Sequence, residues 1–305
     1  MYLGIDIGGT AAKFGLLDDQ YHIFARRELD VRFDGYQTPI LETVRREVRR
    51  FLSEQGAAVT GIGVSATGQV DVRTGVVIGT NGKIPGYEGT ELKAELEAEF
   101  GVPVWALNDA NAAALGESIA GAGAGAANMI MVTIGTGVGG GIVVGGRLLN
   151  GSLGIAGEIG HFTLYQDGVP CACGKTGCFE CYASTTALVE AARRATGLTD
   201  LDGRRVFALI AEGNASLRPV LEHWLDDIAA GITGLVHIFN PELVLFGGGV
   251  SAQKALLIEP LRARVLAGAM PRFAEHLRLE AAALGNDAGL IGAVIFCRQR
   301  ESGNA

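Results

Sequence analysis

The run Leu3-Gly4-Ile5-Asp6-Ile7-Gly8-Gly9-Thr10-Ala11-Ala12-Lys13-Phe14-Gly15-Leu16-Leu17 decides the fold. Leu3 to Ile7 reads as a short apolar strand, Gly8-Gly9-Thr10 as a turn, and Ala11 to Leu17 as a second strand. Asp18-Asp19 then turns the chain into a third strand, Tyr21 to Leu29. A dinucleotide fingerprint would need a helix directly after the glycines, so that its N-terminus faces a pyrophosphate. Here Lys13-Phe14-Gly15-Leu16-Leu17 and an acidic turn follow instead, which rejects that reading. The same unit returns further on: the strand Met129 to Ile134, the turn Gly135-Thr136-Gly137-Val138-Gly139-Gly140-Gly141, and the strand Ile142 to Val144. A duplicated strand–turn–strand unit predicts two related halves facing each other.

Outward from these turns, the chain alternates strands and helices. Thr38-Pro39 starts a helix, with Ile40, Leu41, Val44, Val48, Phe51 and Leu52 at helical spacing and Gly56 as its stop. Val59 to Val64 is a strand, Ser65 to Pro85 a hairpin and loop, Thr90 to Phe100 a helix and Pro103 to Leu107 a strand. Asn108 and Asp109 open the next helix. In the second half a long helix ends at Phe239 before Asn240-Pro241, and Leu243 to Phe246 is a strand running into Gly247-Gly248-Gly249. Ser251 is placed to cap the helix after it. Gly289 to Arg298 is a last apolar helix that should pack back on the first half. The resulting domains are 1–115 plus 290–305, and 116–289, with Ile119 to Ala127 as a flexible loop.

Composition narrows the class. A chain of 305 residues can form two domains, and 46 glycines point to tight turns and close backbone approaches. A net charge of −8 makes the chain a poor general nucleic-acid binder. The cluster Arg45, Arg46, Arg49 and Arg50 reads as the solvated face of an amphipathic helix. No basic leader precedes the first strand, and the longest uncharged run, Met129 to Gly146, is too glycine-rich for a membrane span. The expectation is a cytoplasmic protein with neither nucleic-acid nor membrane partners.

Four of the five cysteines fall in one loop, Cys171, Cys173, Cys178 and Cys181. Glu158 stands three residues before His161, which on a helical turn is the same face. Three thiolates and one imidazole nitrogen make a closed tetrahedral zinc site, here Cys171, Cys173, Cys178 and His161. Cys181 in place of His161 would give a site of four cysteines, and the spacing allows either. Disulfides are the lesser reading, because nothing else in the chain points to an oxidising compartment. Gly168 to Thr176 imitates a phosphate-binding Walker loop, but it has one residue too many between the glycines and no strand leads into it.

Taken together, Asp6-Ile7-Gly8-Gly9-Thr10, Leu107-Asn108-Asp109-Ala110-Asn111, Gly135-Thr136-Gly137-Val138-Gly139-Gly140, Gly157-Glu158-Ile159-Gly160-His161, Cys171-Ala172-Cys173-Gly174 with Gly177-Cys178-Phe179-Glu180, and Gly247-Gly248-Gly249 resemble the ROK family of bacterial sugar kinases and repressors. The resemblance spans nearly the whole chain in the family's order. It implies an α/β protein of two actin-like (ribonuclease H-like) domains with the active-site cleft between them. The activity implied is ATP-dependent phosphorylation of a hexose, glucose to glucose 6-phosphate, with an N-acetylglucosamine, N-acetylmannosamine, fructose or β-glucoside kinase as the alternative. A sugar-responsive repressor is the alternative of another class. Such repressors carry a helix-turn-helix ahead of the first glycine turn, and Asp6 leaves no room for one.

The resemblance also assigns roles. Asp109 is the catalytic base, held ionised by a helix N-terminus. Gly8, Gly9 and Thr10, with Gly135, Thr136 and Gly137, present backbone N–H groups to ATP phosphates. Asp6 holds Mg2+ directly or through water, Lys13 adds charge, and Gly247, Gly248 and Gly249 lie against the adenosine. Gly68, Asn81, Asn108, Asp109, Glu158, His161 and Glu180 surround the sugar. His161 has two tasks, one ring nitrogen on Zn2+ and the other toward the sugar. A homodimer or homotetramer, and closure of the cleft to exclude water, complete the expectation.

Overall fold

Strand β1 (Tyr2–Ile7) pairs antiparallel with β2 (Ala11–Leu17), Tyr2 opposite Leu17 and Ile7 opposite Ala12, so Gly8 to Thr10 is the tip of a hairpin. The computed structural model describes residues 1–80 and 84–303; Asn81, assigned to the sugar from sequence, lies outside the described residues. By contact the chain divides into two compact units, one of residues 1–125, 141–157 and 284–305, the other of 126–140 and 158–283.

In the first unit β2 continues antiparallel to β3 (Ile23–Asp30). Tyr21, expected to start that strand, has a positive φ of 64° and belongs to the turn. Helix α1 (Ile40–Gln55) carries the chain across to β4 (Gly61–Ala66), which lies parallel to β1. The short hairpin of β5 (Gln69–Asp71) and β6 (Val76–Gly79) and helix α2 (Leu92–Phe100) lead to β7 (Val104–Asn108), parallel to β4, and helix α3 (Asp109–Ala120) follows at once. The sheet order is β3-β2-β1-β4-β7.

Helix α1 forms because Ile40, Leu41, Val44, Val48 and Phe51 bury one stripe while arginines occupy the other face. Its start differs from the sequence reading. Pro39 stands at the cap position, and its ring has no oxygen with which to cap, while the Thr38 N–H one residue earlier donates to Asp34 at 2.8 Å. The arginine cluster pairs within the unit: Arg45 with Glu95 and Glu99 at 3.0 and 2.7 Å, Arg49 with Glu99, and Arg50 with Glu54.

The second sheet repeats the first. Strand β8 (Met129–Ile134) sits beside β9 (Val138–Val144), which pairs with the short β10 (Arg147–Leu148), while β11 (Leu243–Gly247) lies parallel to β8 and β12 (Arg278–Ala281) parallel to β11. The order β10-β9-β8-β11-β12 matches β3-β2-β1-β4-β7 position for position. The division between the units falls inside β9, after Gly140. Sequence placed that strand from Ile142, because glycines weaken strand propensity. Sheet pairing overrides the propensity and takes Val138 to Gly141 into the ladder.

Around this sheet lie α4 (Glu180–Ala183), α5 (Thr185–Thr196), α6 (Gly203–Ala211), α7 (Arg218–Phe239), α8 (Glu259–Gly268) and α9 (Pro271–Ala274). Helix α7 buries Leu221, Trp224, Leu225, Ile228, Ile232, Leu235 and Val236, and stops where Asn240 turns left-handed before Pro241. Ser251 does not cap a helix: its hydroxyl donates to the Gly248 carbonyl at 2.9 Å, and a wide helical turn, Lys254–Ile258, precedes α8.

The chain then returns to the first unit as α10 (Ala288–Glu301), burying Leu290, Ile291, Val294, Ile295 and Phe296. Burying each such side chain stabilises by about 1.5–3 kcal/mol. Glu117, fully buried on α3, accepts the N–H of Leu284 at 2.6 Å and of Ala122 at 2.8 Å, which fixes where the returning chain enters. Among the described residues no helix is long and apolar enough to cross a membrane.

Helices α3 and α10 cross backbone against backbone. A Cβ on Gly292 would stand 1.7 Å from the Ala112 carbonyl oxygen. Gly292→Ala should therefore push the helices apart and cost about 3 kcal/mol or more, read as a lowered midpoint in urea unfolding.

Candidate active site and metal centre

The parallel strands β1, β4 and β7 end together, with Ile7 beside Ala66 and Ala66 beside Asn108. Asp6 therefore comes out at the same sheet edge as Asn108 and Asp109. Its Oδ1 accepts the Ser65 hydroxyl at 2.7 Å and its Oδ2 lies 3.6 Å from Lys13 Nζ. The Gly8–Thr10 turn is tied back through its carbonyls: Tyr36 donates to Gly9 O at 2.5 Å and Val31 N–H to Thr10 O at 3.0 Å. Gly8 N–H donates to Ala11 O at 2.9 Å, so what the turn can offer an anion is the amide edge of Gly9 and Thr10.

Asn108 is the N-cap of α3. Its Oδ1 accepts the N–H groups of Ala110 and Asn111 at 2.9 and 3.2 Å, and its amide donates to the Gly68 carbonyl at 2.9 Å. Asp109 is thus the first residue inside the helix, its Oδ1 2.7 Å from the Ala110 N–H. Sequence left open which of the two caps the helix. The hydrogen bonds assign the cap to Asn108 and leave Asp109 at the positive end of the helix dipole, which favours its anion.

In the second unit the Gly135–Gly137 turn closes on itself through Gly135 N–H to Gly137 O at 2.9 Å. The start of α5 holds its carbonyls, Thr185 N–H on Gly135 O at 2.9 Å and the Thr186 hydroxyl on Thr136 O at 2.7 Å. Glu180 at the head of α4 accepts the Val138 N–H at 3.0 Å. Its Oε2 lies 2.1 Å from where a Cβ on Gly137 would stand, so only glycine lets this carboxylate reach the turn. Gly247 ends β11 and Gly248 follows with φ 85°, at the equivalent sheet edge of this unit.

The cysteine loop is a folded clip. Leu164 N–H bonds Gly177 O at 2.8 Å, Phe179 N–H bonds Phe162 O at 2.9 Å, and the rings of Phe162 and Phe179 stack at 4.9 Å. Phe179 is fully buried against α7 at Gly231, and Tyr165 donates to the buried Asp227 at 2.5 Å. Within the clip, Cys171 N–H bonds Lys175 O at 2.8 Å, a tight turn rather than a phosphate cradle.

His161 and the sulfurs of Cys171, Cys173 and Cys178 bring one donor atom each within 4.8 Å of one another. Cys173 Sγ is 3.6 Å from Cys178 Sγ, and Cys171 Sγ is 3.7 Å from His161 Nδ1. A tetrahedral zinc with Zn–S near ~2.3 Å and Zn–N near ~2.0 Å sets its ligand atoms roughly 3.5–3.8 Å apart, so this donor set fits the ion. Burial and the neighbouring sulfurs push the Cys178 thiol well up, while the Lys175 N–H pulls Cys173 down. A cluster of three thiolates needs a cation to balance it. Cys181, the rival ligand from sequence, lies outside this quartet, its Sγ 3.7 Å from the Pro170 carbonyl. The Ile159–His161 turn directs the other face of the imidazole to Glu158, with Nε2 4.0 Å from Oε2.

The residues singled out from sequence thus collect as two sets. Asp6, Gly8, Gly9, Thr10, Lys13, Gly68, Asn108 and Asp109 belong to the first unit; Gly135, Thr136, Gly137, Glu158, His161, Cys171, Cys173, Cys178, Glu180, Gly247, Gly248 and Gly249 belong to the second. Ser65 and Tyr36 were missed. Ser65 had a signal, the lone hydroxyl in the fully buried strand Gly-Ile-Gly-Val-Ser-Ala. Tyr36 had none, since its reach to Gly9 depends on a loop no pattern specifies.

Two matched sheets with glycine turns at equivalent hairpins define the actin-like ATPase fold. Residues 2–300 match the ROK family, and the chain belongs to it. It is 36% identical to the glucokinase of Halalkalibacterium halodurans, over 99% of this chain and 96% of that protein. Among solved structures it is similar to a ROK hexokinase from Thermus thermophilus, with TM-score 0.85, 32% identity and 99% of each chain covered. It is also similar to a ROK family glucokinase from Streptomyces griseus in complex with glucose and AMPPNP, with TM-score 0.80, 32% identity, and 98% of this chain and 99% of that one covered.

The cap itself can be tested. Asn108→Ala should lower stability by about 1–2 kcal/mol through the lost cap. Asn108→Asp should recover much of that loss in the same thermal melt, because a carboxylate still caps although it cannot donate to Gly68.

Proposed function

We propose that the protein is an ATP-dependent hexokinase that transfers the γ-phosphoryl group of ATP to the 6-hydroxyl of glucose. The observation that carries this reading is the cap arrangement: Asn108 anchors Gly68 and the start of α3, and so presents Asp109 at the helix N-terminus. The kinship with glucokinases over nearly the full length supports it. A non-enzymatic member of the fold would have no use for that carboxylate beside a complete set of glycine turns.

Asp109 takes the proton of the 6-hydroxyl as the oxygen attacks phosphorus, a role that contributes about 10²–10⁴-fold. The amide edges of Gly8–Thr10 and Gly135–Gly137 hold the phosphates, and Gly247 to Gly249 lie against the adenosine. Asp6 would hold magnesium directly or through water, and the ion would offset charge on the phosphates. Lys13, ion-paired to Asp6, adds positive charge there. Gly68, Asn81, Asn108, Glu158, His161 and Glu180 bind the sugar hydroxyls.

His161 Nδ1 with Cys171, Cys173 and Cys178 would hold zinc, which cross-links the clip. Metal at Nδ1 fixes the tautomer so that Nε2 turns to Glu158 and the sugar. Three thiols retained as metal ligands suit a reducing compartment, and the cytoplasm is the proposed location.

ADP release from magnesium-ATP across glucose, mannose, fructose, N-acetylglucosamine, N-acetylmannosamine and a β-glucoside tests the activity. Glucose should drive turnover, and Asp109→Asn should cut it by about 10²–10⁴-fold with the fold intact. Turnover by another sugar alone would move the substrate, and ADP release by none would remove the kinase reading. Cys173→Ala should lose zinc by mass spectrometry and sugar phosphorylation with it; a metal-free protein at full activity would refute the structural zinc.

A further inference from the structure

The glycine turn of the second unit carries a contact that a phosphate-binding task does not explain. Glu180 sets its carboxylate on the turn itself. Its Oε2 accepts the Val138 N–H at 3.0 Å, and it stands so close over Gly137 that a Cβ there would collide with it. A hydrogen bond to a carboxylate is among the stronger ones a backbone amide makes. This one also puts negative charge where the phosphates of a nucleotide are to seat, and like charges on one turn oppose binding. Two of the four amides from Gly135 to Val138 are engaged, Gly135 with Gly137 O at 2.9 Å and Val138 with Glu180.

The backbone around Glu180 is held, while its carboxylate has room to turn. Phe179, one residue earlier, is fully buried, Cys178 belongs to the metal quartet, and the Ser184 N–H bonds Glu180 O at 3.2 Å. The side chain is half-buried and has three rotatable bonds, so it can swing while the backbone stays. Its stem also adjoins the turn that carries Glu158 and His161. A Cβ on Gly160 would stand 3.5 Å from Glu180 Cβ and would strike the Val138 carbonyl. Glu180 is therefore rooted beside both the turn given to phosphate and the turn given to sugar. Sugar hydroxyls can donate to a carboxylate, whereas ionised phosphate oxygens only accept.

We propose that Glu180 gates the second phosphate turn. Without sugar its carboxylate holds the Val138 N–H and guards the turn with its charge. A hexose draws the carboxylate off through its hydroxyls, and the Val138 N–H then becomes a further donor to the phosphates of ATP. The inference rests on the kinase reading. Sugar and nucleotide favour each other's binding, because the sugar removes a charge that opposes the nucleotide, and such coupling is equal in both directions. An empty sugar site leaves the turn occupied, which guards ATP against transfer to water.

Calorimetric titration with magnesium-AMPPNP in the absence of sugar reads the gate directly. Glu180→Gln keeps an oxygen that can accept from Val138 but loses the charge, and Glu180→Ala loses both. Both variants should bind the nucleotide roughly tenfold tighter than the sugar-free parent, and saturating glucose should tighten the parent by about the same factor. A residue that only bound sugar would leave sugar-free nucleotide affinity at the parental value. One that only braced the turn would weaken it in Glu180→Ala and preserve it in Glu180→Gln. Either pattern, in a parent that phosphorylates glucose, would overturn this inference alone. A parent that binds no nucleotide even with glucose present would remove the kinase reading and this inference with it.

Discussion

The first unit turns on the side chain of Asn108. Its oxygen satisfies two of the N–H groups that open α3, and its amide holds the Gly68 carbonyl. Orphan amides at a helix start must find partners, and here a strand end, a loop and a helix are fixed by meeting that one need. The position of Asp109 follows from it, because a residue one step inside a capped helix has little choice of direction. The same economy holds across the sheet, where Ser65 on β4 reaches Asp6 on β1. The Asp6 carboxylate is thus fixed from both adjacent strands, by the Ser65 hydroxyl on β4 and by Lys13 on β2.

In the second unit the organising need is different. Glu180 and the cysteine clip share one short segment, so the residues that gather the sulfurs also bring a carboxylate onto Val138 and the glycine turn. Phe179 between them is driven into the core against α7. A hydrophobic anchor and a donor cluster therefore fix the same backbone from its two sides. This is a sturdy way to hold polar groups that stand in a loop, where few hydrogen bonds are otherwise available.

Much of this was legible beforehand, for definite reasons. The hairpin at Gly8 and its repeat at Gly135 were readable because apolar runs broken by glycine have few solutions, and the sheets duplicate as expected. The quartet of His161, Cys171, Cys173 and Cys178 was readable because cysteines cluster for few purposes, while the choice between His161 and Cys181 needed coordinates. What failed was local. Glycine content hid the start of β9, which sheet pairing supplies. Ser251 looked like a cap but bonds backward to Gly248, since partners a few residues away compete with the helix, and the first helix starts at Ile40 with Pro39 rather than Thr38 at its cap. Tyr36 and Ile84 matter through loops that cross back on the Gly8–Thr10 turn, and no periodicity records where a loop goes.

Helix α10 gives the chain an order of assembly. The first unit holds the earliest strands and also residues 284–305, whereas the second unit lies wholly before them. During synthesis the second unit can close while the first still lacks the helix that covers β4 and crosses α3 at Gly292. Domains generally fold as their segments emerge, and long-range closure is slow. The apolar face of β1 and β4 must therefore wait, exposed, until α10 has left the ribosome. A nascent chain halted before Ala288 would carry a finished second unit joined to an open first one, the kind of surface that chaperones hold.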